Sequence, residues 1–116
     1  MNHSRGIILI QEIARMLKSC NVKWWLTDGT LLGLYRDGKL IDYDQDIDIG
    51  CFIDDYKYNI IEIFFENGWS EIHRFGAENI GLEISFIKDS NKLDIFFFYK
   101  SQGCFWHGAW KELYNR

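Results

Sequence analysis

The chain has 116 residues, of which 47% are hydrophobic and 17% aromatic, and its net charge at pH 7 is −4. A chain of this length and composition can bury a hydrophobic core, and we expect residues 1–116 to form one domain. The acidic balance argues against a protein whose main partner is the phosphate backbone of a nucleic acid.

Cysteine usage indicates the redox compartment. Cys20, Cys51 and Cys104 are widely spaced and form no Cys-x-x-Cys pair, and no secretory signal precedes them. This pattern is typical of a reduced, cytoplasmic protein. The apolar run at residues 6–10 is too short for a signal sequence or a membrane span. We therefore expect a cytoplasmic protein with no transmembrane segment.

The first elements are a helix and a short strand. Apolar residues at helical spacing predict a packing helix over residues 7–20. They are Ile10, Ile13, Ala14 and Leu17. Asn21 is a suitable stop for this helix. The β-branched and aromatic residues at 22–26 then predict a strand, in which two neighbouring tryptophans supply bulk for packing.

A glycine-containing segment follows that strand. Residues 27–30, Thr-Asp-Gly-Thr, precede a predicted helix that contains Arg36. A turn of this kind leaves backbone N–H groups at the start of the helix, where they can bind a phosphate. Capping of the helix by Thr27 or Asp28 is the alternative. Arg36 could reach the same phosphate or face solvent, and the residues alone leave both interpretations open.

The most informative stretch is residues 40–50, LIDYDQDIDIG, in which four aspartates stand at alternate positions. Alternation predicts a strand, on which Asp46 and Asp48 share one face while Ile47 and Ile49 face apolar packing. Two carboxylates about 5 Å apart repel by roughly 3 kcal/mol at an effective dielectric of about 20. We therefore predict a divalent metal between them, with a solvated acidic face as the alternative. An EF-hand loop does not fit, because isoleucine occupies the position that requires glycine.

The remaining elements complete a mixed sheet. A helix that Asp54 or Asp55 caps is predicted to run to about Glu66. Residues 67–68, Asn-Gly, end it. Three strands are predicted over residues 69–74, 82–88 and 92–99. Residues 89–91 form the turn between the last two. The sequence therefore predicts an α/β (α+β) fold, with a mixed β-sheet and packing helices.

Asp94 interrupts the otherwise apolar run LDIFFFY in the last strand. Burial of a lone carboxylate is unfavourable unless the group is paired or binds a metal. Asp94 is therefore either a salt-bridge partner or a third carboxylate of the metal site.

Three stretches together carry a family resemblance. They are residues 29–33 (GTLLG), residues 43–50 (YDQDIDIG) and residues 93–96 (LDIF), with Arg36 after the first. Gly29 precedes the first metal-site aspartate by 17 positions. In these motifs and this interval, residues 23–99 resemble the LicD/fukutin family of the nucleotidyltransferase-fold superfamily. The resemblance implies a nucleotidyltransferase-like fold.

The resemblance also implies a site. Asp46, Asp48 and Asp94 would bind Mg²⁺ or Mn²⁺ and form the catalytic set, and Asp94 could accept the proton of the attacking hydroxyl. Mg²⁺ suits this arrangement because it takes a few carboxylates and completes its shell with waters and substrate phosphates. Bridging a diphosphate, the metal would neutralise the charge that develops on the leaving group.

The resemblance further implies the substrates. Gly29 and Thr30 would cradle the phosphates of a nucleotide donor, with Arg36 and Asp44 also in the donor site. Members of the family move a phosphorylated alcohol, such as phosphocholine or ribitol phosphate, from a CDP-linked donor to a carbohydrate hydroxyl. Asp28 departs from the family pattern, since it adds a negative charge beside the proposed phosphate site.

Two further functions are consistent with the same residues. One is a nucleotidyltransferase that acts on a small molecule or a protein hydroxyl, and the other is a non-catalytic module that binds nucleotide and metal.

The chain lacks the usual C-terminal extension of the family, so we expect a minimal or truncated member. Residues 103–116 include Trp106, His107 and Trp110. This tryptophan-rich end is a candidate surface for a partner or self-association, and His107 is expected to pack rather than catalyse.

Overall fold

In a computed structural model, residues 3–27, 46–56 and 58–108 are described, apart from the side chains of residues 3 and 58. These ranges contain two α-helices, six β-strands and a short 3-10 helix at Ile53–Asp55. The helices and strands are α1 (His3–Ser19), β1 (Trp24–Leu26), β2 (Asp46–Phe52), α2 (Tyr58–Glu66), β3 (Ser70–Ala77), β4 (Ile80–Lys88), β5 (Asn91–Ser101) and β6 (Cys104–Trp106). The predicted α/β (α+β) class is confirmed.

The strands form one mixed sheet. Its order is β1-β2-β5-β4-β3, and β6 pairs with the far end of β5. The pair β2–β5 is parallel, and the other pairs are antiparallel. The parallel pair lies at the centre, so that β2 and β5 are each flanked by further strands.

The hydrophobic core lies between the sheet and the two helices. Ile47 and Ile49 of β2 stand opposite Leu93 and Ile95 of β5, and all four side chains are fully buried. The helices contribute apolar residues to the same cluster, namely Leu9, Ile13, Met16, Leu17, Ile60, Ile61 and Phe64. Because side chains alternate along a strand, the odd-numbered residues of β2 and β5 enter this core and the even-numbered residues face the other way.

Residues with positive φ follow both helices and form the turn between β4 and β5, at the places that the sequence predicts. Asn21 has a φ of 58° after α1, and Gly68 has a φ of 89° after α2. Asp89 and Ser90 both have positive φ, 50° and 68°, which is the geometry of a tight type I′ hairpin between β4 and β5. These two residues form the turn, and Asn91 already belongs to β5.

Several boundaries differ from the sequence prediction. Strand β1 is shorter than predicted, whereas β3 extends to Ala77, β4 begins at Ile80 and β5 extends to Ser101. Helix α1 begins at His3 rather than residue 7. Helix α2 begins at Tyr58, because Asp54 and Asp55 belong to a separate 3-10 helix and so do not cap it. Strand β6 was not predicted, although Gln102 and Gly103 supply two positive φ angles for a hairpin turn. Neither of the two described helices has the length and hydrophobicity needed to cross a membrane.

Candidate metal and active site

The site lies on the face of the sheet opposite the two helices. In the parallel register, Asp48 of β2 stands beside Asp94 of β5, and Asp46 stands beside Lys92. All four side chains therefore project from the same face. One carboxylate oxygen from each of Asp46, Asp48 and Asp94 lies within 4.8 Å of the others. The structure thus brings together the three residues that the sequence places in the metal site.

The burial of these carboxylates favours a bound cation. Asp48 is 8% exposed and Asp94 is 6% exposed, whereas Asp46 is only partly buried at the rim. Clustered carboxylates with so little water around them need positive charge nearby. Three carboxylate oxygens at this spacing are the kind of hard donors that Mg²⁺ or Mn²⁺ prefers. That these residues bind metal stays a prediction.

Two residues that the sequence analysis did not single out hold Asp94. The Ser85 hydroxyl donates a hydrogen bond of 2.5 Å to Asp94 Oδ1. Lys92 Nζ lies 3.5 Å from the same oxygen and 3.6 Å from Asp46 Oδ2. Both contacts go to Oδ1, so this oxygen of Asp94 is held by a hydroxyl and an ammonium at once. Alternation along β4 and β5 was the available signal, since it places Ser85 and Lys92 on the polar face.

The pKa of Lys92 reflects its position between these carboxylates. Burial of the ammonium acts to lower its pKa, but the charges of Asp94 and Asp46 and their hydrogen bonds outweigh that effect, so the pKa is raised. Lys92 therefore carries a full positive charge at neutral pH. It supplies the carboxylate cluster with a cation from the protein itself.

An aromatic cluster continues the same face beyond the carboxylates. Trp25 of β1 stands opposite Gly50 of β2, and its ring contacts those of Phe52 and Phe98, with centroids 4.7 and 5.1 Å away. The missing side chain at Gly50 provides the room that the Trp25 ring occupies. The aromatic cluster thus fixes the edge of the sheet next to the metal-site aspartates.

His107 joins this aromatic face through packing. Its ring lies 5.0 Å from Phe96 and 4.8 Å from Phe98, and its Nδ1 lies 2.7 Å from the carbonyl oxygen of Gly108. These contacts agree with the packing interpretation of His107. Trp106 stacks on Tyr99 at 4.7 Å, and whether the tryptophan-rich end binds a partner stays a prediction.

A pocket of about 360 Å³, here named the strand-end pocket, opens where β2 and β5 end. Its lining residues are Asn21, Lys23, Phe52, Ile53, Asp54, Asp55, Phe98, Lys100 and Phe105. Phe52 follows Asp48 by four positions, so the pocket lies roughly 13 Å along the strand from the carboxylates. It combines aromatic rings with both lysine and aspartate side chains.

The residues predicted to contact the donor belong to a part of the chain that the structure does not describe. Gly29, Thr30, Arg36 and Asp44 fall outside the described residues, as do Asp28 and Trp110. Their roles in phosphate and donor binding stay predictions.

Comparison with known proteins places these features in a family. The model of the LicD/FKTN/FKRP, nucleotidyltransferase domain matches residues 21–116. The ribitol-5-phosphate transferase FKTN of Macaca fascicularis is 46% identical over 102 residues, which cover 87% of this chain and 22% of that protein. The human FKTN is 45% identical with the same coverage of both chains. An uncharacterized protein of Rickettsia typhi, RT0683, is 32% identical over 107 residues, which cover 92% of this chain and 33% of that protein. The chain therefore spans between a fifth and a third of the length of these relatives.

Proposed function

Because the chain belongs to the LicD/FKTN/FKRP family, we propose that it is a metal-dependent phosphotransferase of the nucleotidyltransferase-fold superfamily. It transfers a phosphorylated alcohol from a CDP-linked donor to a carbohydrate hydroxyl. The observation that carries this proposal is the convergence of three carboxylates, from two parallel strands, within 4.8 Å of one another. Ribitol phosphate is the first candidate for the transferred group, since relatives are named ribitol-5-phosphate transferases. Phosphocholine is the second.

Asp46, Asp48 and Asp94 are the proposed metal ligands. When bound, Mg²⁺ or Mn²⁺ supplies charge neutralisation to the diphosphate of the donor. Ser85 fixes the Asp94 carboxylate by its hydrogen bond to Oδ1, so that the ligand geometry exists before substrate arrives. Gly29, Thr30, Arg36 and Asp44 remain the predicted contacts to the donor.

The proposed reaction is a displacement at the phosphorus distal to the nucleoside. The oxygen of the acceptor hydroxyl forms a bond to this phosphorus, and the bond from phosphorus to the bridging oxygen of CMP breaks. The CMP leaves with that oxygen, and the proton of the hydroxyl passes to a carboxylate of the cluster. Asp94 is the candidate acceptor for this proton, as the family resemblance implies, and the hydrogen bond from Ser85 holds its carboxylate in position.

The strand-end pocket is the proposed contact for a remote part of the acceptor. At roughly 13 Å from the carboxylates, it is too far away to hold the reacting hydroxyl. The Phe52 and Phe105 rings, with centroids 5.1 Å apart, offer apolar faces to sugar rings. The lysine and aspartate side chains in the lining can hydrogen-bond to sugar hydroxyls. Phe105→Ala should then raise KM for the acceptor more than it lowers kcat.

The test incubates the chain with CDP-ribitol or CDP-choline, a glycan acceptor and Mg²⁺, and follows products by chromatography and mass spectrometry. CMP release with a phospho-alcohol on the acceptor supports the proposal. Asp94→Asn should abolish this release, while Asp89→Asn, in the exposed β4–β5 turn, should leave it unchanged.

Other outcomes identify the two alternatives. A nucleotidylated acceptor with release of the free phospho-alcohol would show attack at the nucleoside phosphorus, as expected of a nucleotidyltransferase. Metal-dependent thermal stabilisation by the donor without any product would indicate a non-catalytic binding module. Such stabilisation reaches about 2.7 kcal/mol at a ligand concentration of about 100 Kd.

A further inference from the structure

Lys92 bridges two of the three proposed metal ligands with its ammonium group. Its Nζ lies 3.5 Å from Asp94 Oδ1 and 3.6 Å from Asp46 Oδ2. The strand register produces this contact. Lys92 stands beside Asp46 across the parallel pair, and it lies two positions before Asp94 on the same face. The side chain is 31% exposed, so the ammonium lies at the open rim of the cluster.

A metal ion and this ammonium would compete for the same carboxylates. Mg²⁺ or Mn²⁺ on Asp46 and Asp94 would bring two cations close together, and their repulsion is strong where little water screens it. The lysine side chain is flexible and carries a compact charge with three donors. It can therefore leave the carboxylates while its backbone stays in β5.

We propose that Lys92 is an exchangeable counter-ion that couples metal binding to donor binding. Without metal, its ammonium neutralises Asp46 and Asp94. When metal takes these carboxylates, the ammonium turns to the diphosphate of the donor, which approaches the same rim. This inference rests on the proposed function, because it assumes a metal site that receives a nucleoside diphosphate.

The coupling has a defined thermodynamic sign. Metal binding alone must displace the ammonium from two carboxylates without a replacement partner. In the presence of a diphosphate, the displaced ammonium gains phosphate oxygens, a charge-assisted contact that lysine makes well. Donor should therefore tighten metal binding, and by linkage metal should tighten donor binding by the same factor.

The experiment measures the Kd for Mn²⁺ by isothermal titration calorimetry, without and with CDP, for the wild type and three variants. Blank titrations of Mn²⁺ into CDP account for binding in solution. Lys92→Met and Lys92→Gln remove the charge in two ways, in case one of them folds poorly. Lys88→Met is the matched control, because Lys88 Nζ forms an ion pair of 2.6 Å with Glu12 of α1, on the opposite face of the sheet.

The neutral Lys92 variants should bind Mn²⁺ about tenfold more tightly than the wild type when CDP is absent. They should also lose most of the factor by which CDP tightens Mn²⁺ binding. Without metal, their melting temperatures should fall, because the carboxylates lose their counter-ion. Lys88→Met should lower the melting temperature but leave both Kd values for Mn²⁺ unchanged.

Failure of this inference can be distinguished from failure of the proposed function. A wild type that binds Mn²⁺, together with Lys92 variants whose Kd is unchanged or higher, would overturn the inference and leave the proposed function standing. A wild type that binds no Mn²⁺, with or without CDP, would contradict the proposed function itself and this inference with it.

Discussion

The two faces of the central strands have opposite chemistry at neighbouring positions. Ile47 and Ile49 are fully buried against the helices, whereas Asp46 and Asp48, one residue away on the same strand, join a cluster of carboxylates. Burial of apolar surface on the first face stabilises the fold. Like-charge repulsion on the second face opposes folding, and the ammonium of Lys92 offsets part of it. The core face thus holds the carboxylates of the other face in a geometry that they would not keep by themselves.

Removal of a large side chain from the core face should have the largest effect. Phe97 is fully buried, and Phe97→Ala should lower the free energy of unfolding by about 3–5 kcal/mol. Urea denaturation measures this loss. Phe96→Ala is the matched change on the other face, where the ring is only partly buried and packs on His107. Equal losses at the two positions would contradict the described difference between the faces.

A substitution on the carboxylate face should change stability mainly through the loss of metal binding. At about 100 Kd of Mg²⁺, the wild type should gain about 2.7 kcal/mol of stability, and Asp48→Asn should lose this gain. The same variant should lack the response to Mg²⁺ whatever its stability in metal-free buffer, because the response depends on all three carboxylates. Thermal melts with and without Mg²⁺ check both parts. Asp89→Asn should keep the metal response, and its loss there would indicate non-specific metal binding.

Substitution of Gly50 tests how tightly the aromatic cluster packs at the edge of the carboxylate face. A Cβ at Gly50 would lie 2.7 Å from the Phe98 ring and would overlap the indole of Trp25. Gly50→Ala should therefore lower the free energy of unfolding by about 1–3 kcal/mol. In a Trp25→Ala background the same change should be milder, since the main obstacle is gone. An equal loss in both backgrounds would mean that Trp25 is not the obstacle.

The smallest effect on stability at neutral pH is expected for a substitution of Cys51, on the core face. Burial, with a smaller contribution from the charge of Asp55, raises the pKa of its thiol from 9.0 to about 12. A raised pKa in the folded state means that the thiol contributes its stability below about pH 9, and that this contribution is lost as the pH rises towards 12. Urea denaturation at increasing pH should show a shallower decline for Cys51→Ala than for the wild type. Parallel declines would contradict this prediction.

Much of this fold and part of the site follow from local sequence patterns. Alternation along β2 assigns Asp46 and Asp48 to one face, and the apolar run around Asp94 marks a carboxylate that needs a partner. The roles of Ser85 and Lys92 depend on how β4, β5 and β2 align, and no single strand encodes that register. The sequence does not locate the start of α2, because Asp54 is a residue type that suits a helix cap yet lies in a separate 3-10 helix before it.

The parallel pairing of β2 with β5 also sets the order in which the site can form. Helix α2 and the hairpin of β3 and β4 lie between these strands in the chain. Pairing of strands so distant in sequence is among the slow steps of folding. During synthesis the nascent chain therefore has no complete carboxylate site until β5 has left the ribosome. Metal that binds only to the finished site should slow unfolding and leave the folding rate almost unchanged.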